Sequence, residues 1–220
     1  AIAGVQGNGQ TELTEAIIGL QNKVSGSIEL DGVELVGRSV QQIIDAGVGF
    51  VPEDRTSDGL VGEFSVAENL ILNRSEGAPF FRAATLQRGV LREFADEKIA
   101  EFDIRTQSAE TPAGRLSGGN QQKVVLAREL SRTLKLFVAS QPTRGIDVGS
   151  IEFVHERIVE TRDSGVPVIV VSTELDEVTA LADRIAVMYR GTIVGIVPGN
   201  APRETLGLMM AGEVPTEVIA

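Results

Sequence analysis

The 220-residue sequence contains no cysteine and a single histidine, His155. Without thiols the chain can form neither a disulfide scaffold nor a thiolate metal site, and one histidine cannot build a histidine-based zinc site. His155 falls in a predicted helix over residues 150–164, where we expect it to pack against a neighbour or face solvent. The longest apolar runs, such as residues 166–171, are far shorter than the ~20 residues of a membrane-spanning helix. We therefore expect any membrane role to depend on a partner.

Basic residues are also scarce relative to acidic ones. The chain has 20 lysines and arginines against 31 aspartates and glutamates, which gives a formal net charge of -11. Because such a field repels phosphate backbones, nucleic acid is not an expected partner. The lack of cysteine suits a reducing compartment, so we expect a cytoplasmic protein. With 42% hydrophobic residues the chain can bury a core, and its length predicts one domain over residues 1–220.

Apolar runs alternate with helical stretches along most of the chain. The strand-like runs are residues 47–51, 134–139 and 166–172, and the helical stretches are residues 11–20, 118–132 and 150–162. This alternation predicts an α/β fold with a mostly parallel sheet and helices on both faces. Residues 1–4 look like the end of a strand that enters a glycine loop, so we expect the chain to start inside a longer polypeptide.

Residues 65–115 follow a different pattern. They contain helical segments at residues 65–72 and 84–102 but no strong buried strand, which predicts a helical lobe. Further along, residues 183–188 and 191–197 predict two strands joined by a tight turn at the edge of the sheet. Residues 203–210 predict a short final helix.

A glycine-rich segment near the start of the chain has the spacing of a phosphate-binding loop. It lies between a strand and a helix, where backbone N–H groups can approach phosphate oxygens. The usual lysine position holds Gln10, and its neutral amide gives up a charge-assisted bond of roughly 1.5–3 kcal/mol. By itself this segment is equally well explained as a plain strand-to-helix turn. The candidate nucleotide-binding residues are Gly4, Gly7, Asn8, Gly9, Gln10 and Thr11, of which Thr11 can also ligate magnesium.

A second glycine-containing segment, Leu-Ser-Gly-Gly-Asn-Gln-Gln at residues 116–122, precedes a predicted helix. Ser117 and the two glycines leave N–H groups free at the positive end of that helix, which makes an anion site. A bare Ser-Gly-Gly is more simply a serine N-cap. The full string is more specific, and it resembles the signature motif of ATP-binding-cassette (ABC) ATPases.

The other motifs of that family follow in order along nearly the whole chain. Residues 136–143 stand where the family has an apolar strand ending in Asp-Glu-Pro-Thr, so Ser140 replaces the magnesium-binding aspartate and Gln141 the catalytic glutamate. Glu53 stands at the Q-loop position, Asp147 in the D-loop, and Thr173 where the switch histidine would be. The resemblance implies an ABC-type P-loop NTPase fold with a mostly parallel sheet core, a helical lobe and edge β-strands.

The resemblance also implies how the chain works. In this family two domains pair head to tail, and each ATP with its Mg²⁺ lies between the phosphate loop of one domain and the signature of the other. The chain's own site has lost its catalytic residues, so we expect it to hydrolyse ATP poorly or not at all. We expect it to lend its signature to a complete cassette in the same polypeptide and to dock permease subunits at the inner face of the membrane. The signature residues used in trans would be Ser117, Gly118, Gly119, Asn120 and Gln121.

The sequence looks most like the second cassette of tandem ATPases that serve nucleoside and monosaccharide importers. Residues 139–145 and 172–177 look more like the nucleoside branch, which is the solute we expect. A monosaccharide importer and a purely structural pseudo-ATPase remain the alternatives. The acidic charge speaks against a cassette of DNA repair or translation, and Gln10 speaks against a P-loop kinase or GTPase.

Overall fold

The computed structural model describes residues 1–74, 79–82 and 85–213. The chain divides into two compact units. The first unit consists of Ala1–Glu53, Leu134–Pro142 and the chain from Arg157 onward, and the second of Asp54–Thr133 and Thr143–Glu156. Residues 75–78 and 83–84 of the predicted helical lobe lie outside the described residues.

The strands of the described residues are short and spread along the chain. In chain order they are β1 (Ile2–Ala3), β2 (Glu29–Leu30), β3 (Val33–Glu34), β4 (Val48–Val51), β5 (Phe81–Arg82), β6 (Thr85–Leu86), β7 (Leu136–Ser140), β8 (Val168–Ser172), β9 (Arg184–Tyr189) and β10 (Thr192–Pro198). The α-helices, in the same order, are α1 (Gln10–Ile17), α2 (Val40–Asp45), α3 (Val66–Asn69), α4 (Arg88–Glu101), α5 (Gly118–Leu130), α6 (Val148–Asp163), α7 (Leu175–Leu181) and α8 (Arg203–Met210).

The first unit is built on a six-stranded sheet with the order β10-β9-β1-β8-β7-β4. Neighbouring strands run parallel except β9 and β10, which pair antiparallel at one edge. The inner strands read as almost continuous apolar runs, as expected for parallel strands that are covered on both faces. The predicted parallel core with antiparallel edge strands is therefore confirmed.

Separate apolar clusters cover this sheet. Ile17, Ile43 and Val48 belong to a buried cluster that joins α1 and α2 to β4 and β7. Leu206 and Met209 of α8 lie in another cluster with residues of β9 and α7. α2 begins with a capping box in which Ser39 and Gln42 exchange side-chain and backbone hydrogen bonds, and this pairing fixes the start of the helix.

The second unit is mainly helical. α3 packs against α4 and α5, and β5 pairs with β6 in a small antiparallel ribbon. Ser65 and Glu68 form a capping box at the start of α3. Buried residues of this unit include Val66, Leu70, Leu91, Phe102 and Val124. Residues 148–156 of α6 belong to this unit and the rest of that helix to the first.

None of the helices in the described part of the chain combines the length and apolar character that a membrane span requires.

Candidate functional site: two helix N-termini

The glycine-rich loop runs from the end of β1 to the start of α1, both in the first unit. Gly7 and Gly9 adopt positive φ angles of 86° and 103°, which residues with a side chain rarely adopt. Gly9 is the N-cap of α1 and offers no side-chain cap. The sequence therefore builds a glycine loop that ends at a helix N-terminus, the arrangement that favours an anion.

Gln10 occupies the inside of this loop and is only 6% exposed. Its Oε1 accepts a hydrogen bond from the backbone N–H of Asn8 at 3.1 Å, and its Nε2 donates to the carbonyl of Val5 at 3.1 Å. A Cβ at Gly4 would overlap Nε2 of Gln10 and would lie 2.7 Å from the backbone carbonyl oxygen of Met188, which cannot easily move aside. The amide of Gln10 thus takes a loop N–H that a phosphate would otherwise use.

Asn8 ties the same loop to the turn between β9 and β10. Its Oδ1 accepts from the N–H of Arg190 at 2.8 Å, and its carbonyl accepts from the N–H of Gly191 at 2.8 Å. Arg190 and Gly191 both have positive φ, as a two-residue hairpin turn of this hand requires. The edge strands therefore set the position of the loop.

Glu53 connects the loop to the end of β4. Its carboxylate accepts from the Thr11 hydroxyl at 3.3 Å and from the Gln6 amide at 3.4 Å. Within residues 1–74, 79–82 and 85–213, no group of three or more Asp, Glu or His side chains is arranged to bind a metal. The Thr11 and Glu53 oxygens are nevertheless the ligand types that Mg²⁺ takes when phosphates complete its shell. The pair fits a magnesium ion brought in with a nucleotide.

The carboxyl ends of β7 and β8 bring together Ser140, Gln141 and Thr173, which the resemblance predicted at substituted positions. Ser140 is the last residue of β7 and is 3% exposed. Gln141 follows with a φ of 48°, and its Oε1 accepts from the N–H of Thr173 at 3.3 Å and from its hydroxyl at 3.4 Å. Two neutral side chains satisfy each other at this point, and neither is a base that could take a proton from water.

The string that resembles the ABC signature forms the N-terminus of α5 in the second unit. Ser117 is the N-cap, and its Oγ accepts from the backbone N–H of Asn120 at 3.5 Å and from its side-chain amide at 2.8 Å. Asn120 in turn accepts from the N–H of Arg105 at 2.7 Å. Gln121 donates to the carbonyl of Ala113 at 3.3 Å. These bonds hold the start of α5 in place, while Gly118 and Gly119 carry no side chain of their own.

Asp147 lies beside the same helix end. Its carboxylate accepts from the Ser150 hydroxyl at 2.8 Å and from the Ser150 N–H at 3.0 Å, and these bonds hold the pKa of Asp147 below its usual value. A Cβ at Gly119 would overlap Ser150 Oγ and lie 2.8 Å from Asp147 Oδ2. A polar cleft of about 600 Å³ opens beside Ser117, Asn120, Asp147 and Ser150. The signature end of α5 is thus tightly packed on one side and open on the other.

A protein-family model described as "ABC transporter" matches residues 1–144. The chain belongs to the ABC transporter family. Among solved structures, a nucleotide-free ATP-binding cassette of an ABC transporter superposes with a TM-score of 0.76 at 21% identity, covering 99% of this chain and 85% of that one. A cassette dimer in a post-hydrolysis state with ADP and phosphate superposes with a TM-score of 0.73 at 22% identity, covering 91% and 85%. At these identities the likeness shows the fold, which is the ABC-type P-loop NTPase fold.

Proteins named as import ATP-binding proteins are more similar in sequence. The chain is 44% identical over 217 residues to a guanosine import ATP-binding protein of Bacillus subtilis, covering 98% of this chain and 42% of that protein. It is 45% identical to a nucleoside import ATP-binding protein of Lactococcus lactis, covering 96% and 42%. It is also 45% identical to a glucose import ATP-binding protein of Haloferax volcanii, covering 96% and 39%. The chain spans about two fifths of the length of these relatives.

Sequence reasoning missed three contributors to these sites. Gln6 binds Glu53, Ser150 binds Asp147, and Arg55 donates to the carbonyls of Arg144 and Gly145. The spacing of Asp147 and Ser150 is that of a helix N-cap and its third residue, a signal that was available in the sequence. Nothing in the sequence pairs Arg55 with a segment 89 residues away.

Proposed function

We propose that residues 1–220 form one cassette of an importer ATPase, with a degenerate nucleotide site of its own and an intact signature that it lends to a complete partner cassette. In this arrangement ATP hydrolysis at the partner site powers the uptake of a small solute. The partner cassette lies in the same polypeptide, and both dock on permease subunits at the cytoplasmic face of the membrane.

The contrast between the two helix N-termini carries this proposal. At α1 the side chain of Gln10 occupies the loop, and Ser140, Gln141 and Thr173 supply neither a carboxylate nor an imidazole. At α5 both glycines are present, and the open cleft beside Ser117 is lined by Arg105 and Lys123 as well as by Asp103, Asp147, Glu152 and Glu156. A site that has lost its base loses about 10²–10⁴-fold in rate, whereas free N–H groups at a helix end still attract phosphate.

The share of the relatives that this chain covers supports the tandem arrangement. Proteins more than twice as long as the matched region leave room for a second cassette. Members of the ABC ATPase family bind ATP with Mg²⁺, which this proposal places mainly at the partner site. At the chain's own site Thr11 and Glu53 would hold the ion, and bound Mg²⁺ would neutralise phosphate charge.

Nucleosides are the proposed solute, because a guanosine importer and a nucleoside importer are among the relatives at 44–45% identity. A monosaccharide is the alternative, favoured by the glucose importer at 45% identity. Uptake of labelled guanosine and of labelled glucose or ribose by vesicles containing the whole transporter separates the two. Competition of guanosine uptake by unlabelled nucleosides but not by sugars is the expected result.

The trans role of the signature is tested best at Ser117, because Ser, Asp and Asn are comparable N-caps. Ser117→Asp adds a carboxylate at the helix end without removing the cap. Ser117→Asn introduces a side chain of nearly the same shape as aspartate but without its charge. In the reconstituted transporter we expect Ser117→Asp to abolish ATP hydrolysis and Ser117→Asn to retain most of it. Gln10→Ala should spare hydrolysis, because it alters a site that is already inactive.

A structural pseudo-ATPase gives a different result in the same assay. If this chain only docks the permease, Ser117→Asp and Ser117→Asn leave hydrolysis equally unchanged. If Gln10→Ala abolishes hydrolysis while Ser117→Asp spares it, the working site is the chain's own and the proposal is wrong.

A further inference from the structure

We propose that Arg55 is a positioning residue that holds the segment before Asp147 against the signature end of α5. The inference rests on the proposed function, since it concerns the signature that serves the partner site. All the contacts that carry it lie within the second unit.

The Arg55 guanidinium spans two successive carbonyls. Its Nη1 donates to the carbonyl of Arg144 at 2.7 Å and its Nη2 to the carbonyl of Gly145 at 3.1 Å. A planar guanidinium can reach two neighbouring acceptors at once, which a lysine ammonium on its flexible stem does not reproduce. Gly145 has a φ of 68°, so this loop adopts a conformation that a glycine permits and the two bonds hold.

The same guanidinium touches the signature. A Cβ at Gly118 would lie 2.5 Å from Arg55 Nη2 and 3.1 Å from the carbonyl of Gly145. Gly118 therefore leaves room for Arg55 and the loop to pack directly on the helix end. The absent side chain at Gly118 thus has a role within this chain in addition to any role toward a partner nucleotide.

Arg55 is itself anchored at both ends of its segment. Asp54 accepts from the N–H groups of Thr56 and Ser57 at 2.8 and 3.2 Å, which starts a π-helical turn over Arg55–Gly59. Those N–H groups, Ser57 first, hold the pKa of Asp54 below its usual value, so it remains ionised at neutral pH. At the other end, the carbonyl of Gly59 accepts from Nη1 of Arg128 in α5 at 2.7 Å.

The segment Arg55–Gly59 therefore fixes the position of α5 relative to the loop that precedes Asp147. It holds α5 through Arg128 and holds the loop through Arg55. Removal of the guanidinium releases both carbonyls and leaves space beside Gly118. The start of α5 would then lose its fixed position, and a misplacement of about 1 Å at a reacting group can cost 10²-fold in rate.

The test uses the reconstituted transporter with Arg55→Ala, Arg55→Lys and a control, Arg92→Ala. Arg92 is a suitable control because it lies on α4 in the same unit, with a side chain 68% exposed and an ion pair to Asp96 at 3.8 Å. We expect both Arg55 variants to lower kcat for ATP about tenfold to a hundredfold, with little change in KM, since the partner's own loop binds the nucleotide. Arg92→Ala should match the unaltered transporter.

Chemical rescue separates positioning from folding. Millimolar guanidinium should restore part of the kcat of Arg55→Ala, and methylammonium should not, because only a planar fork can bond both carbonyls. A fall in kcat without rescue, together with a lower melting temperature, would overturn the positioning role. Full activity of Arg55→Lys would also overturn it, and this variant decides the matter if Arg55→Ala fails to assemble.

Ser117→Asp, measured in parallel, separates the role of Arg55 from the proposed function. If Ser117→Asp abolishes hydrolysis while Arg55→Ala leaves kcat unchanged, the role of Arg55 is wrong and the proposed function stands. If Ser117→Asp leaves hydrolysis intact, the proposed function fails, whatever the Arg55 variants do.

Discussion

The start of α1 and the start of α5 are both glycine-containing helix N-termini, yet they differ in what fills them. At α1 the chain's own Gln10 accepts the hydrogen bond from a loop N–H and is 6% exposed. At α5 the Oγ of Ser117 also accepts from a backbone N–H, that of Asn120, but no side chain enters from Gly118 or Gly119, and a cleft of about 600 Å³ adjoins Ser117. A helix end attracts anions only where its N–H groups remain free. Both helix N-termini contain glycines, so the glycine pattern alone does not specify which groups remain available to a phosphate.

The largest expected effect comes from repairing the first site. Gln10→Lys alone supplies a cation but no carboxylate, whereas Gln10→Lys with Ser140→Asp and Gln141→Glu restores a metal ligand and a base. In the reconstituted transporter carrying Ser117→Asp, which on the proposed function silences the partner site, we expect the triple variant to hydrolyse ATP at least about 10²-fold faster than the single variant. Equal rates of ATP hydrolysis in the single and triple variants would contradict the expected need for a restored metal ligand and base.

The same variants allow a readout without turnover. Ser140 is 3% exposed, so an aspartate there is a buried charge that is stabilised when Mg²⁺ pairs with it. We expect Mg²⁺ to raise the melting temperature of the triple variant and to leave that of Gln10→Lys nearly unchanged.

Gly119→Ala, at the N-terminus of α5, should lower the free energy of unfolding more than a glycine replacement elsewhere. The added methyl group would overlap Ser150 Oγ, and overpacking of this kind costs about 1–3 kcal/mol of unfolding free energy. Gly89→Ala on α4 is the control, since a Cβ there meets nothing within 4 Å and alanine favours a helix.

A double-mutant cycle with Ser150→Gly checks that reason. Removal of the Ser150 side chain should recover much of the stability lost in Gly119→Ala, as measured by denaturant unfolding. Independent, additive losses would mean that Ser150 is not what excludes a side chain at Gly119.

A smaller effect is expected from emptying the first loop. Gln10→Ala frees the Asn8 N–H to bind a phosphate oxygen. A net hydrogen bond of about 0.5–1.5 kcal/mol corresponds to roughly two- to tenfold tighter binding of a nucleoside triphosphate. Calorimetric titration of the transporter measures this, with the phosphate loop of the proposed partner cassette disabled and Gln41→Ala on α2 as the control. Weaker binding in Gln10→Ala would show that Gln10 assists the nucleotide instead of excluding it.

The smallest effect concerns Asp147, whose pKa is held below the ordinary value of 3.8 by the hydrogen bonds from Ser150. A carboxylate with a lowered pKa in the folded state contributes stability above its ordinary pKa and loses it as pH falls through the lowered value. The melting temperature of the unaltered chain should therefore exceed that of Asp147→Asn at neutral pH. The difference should shrink below about pH 4, and one that grows there would contradict this account.

Helix and strand positions followed from the sequence within a few residues. The predicted helix at residues 203–210 coincides with α8, and the strand predicted at 166–172 is β8 (Val168–Ser172). The ribbons of β2–β3 and β5–β6 and the helices α2 and α7 were not predicted, because their short segments give too few turns or alternations for a periodic pattern. The helix predicted over residues 84–102 begins only at Arg88, as α4, and Thr85–Leu86 form β6 instead. Element type was readable where an apolar run was long.

The sequence by itself determined the order of the motifs and predicted, through the resemblance, that Gln10, Ser140, Gln141 and Thr173 replace the family's lysine, aspartate, glutamate and histidine, since each position is read locally. It also indicated the family, which the match over residues 1–144 confirms. Only the tertiary structure decided that Gln10 turns into its own loop, that Glu53 meets Thr11, and that Arg55 holds two carbonyls beside Gly118. Those contacts depend on side-chain direction and, for Glu53 and Arg55, on segments far apart in the chain, and periodicity and spacing specify neither.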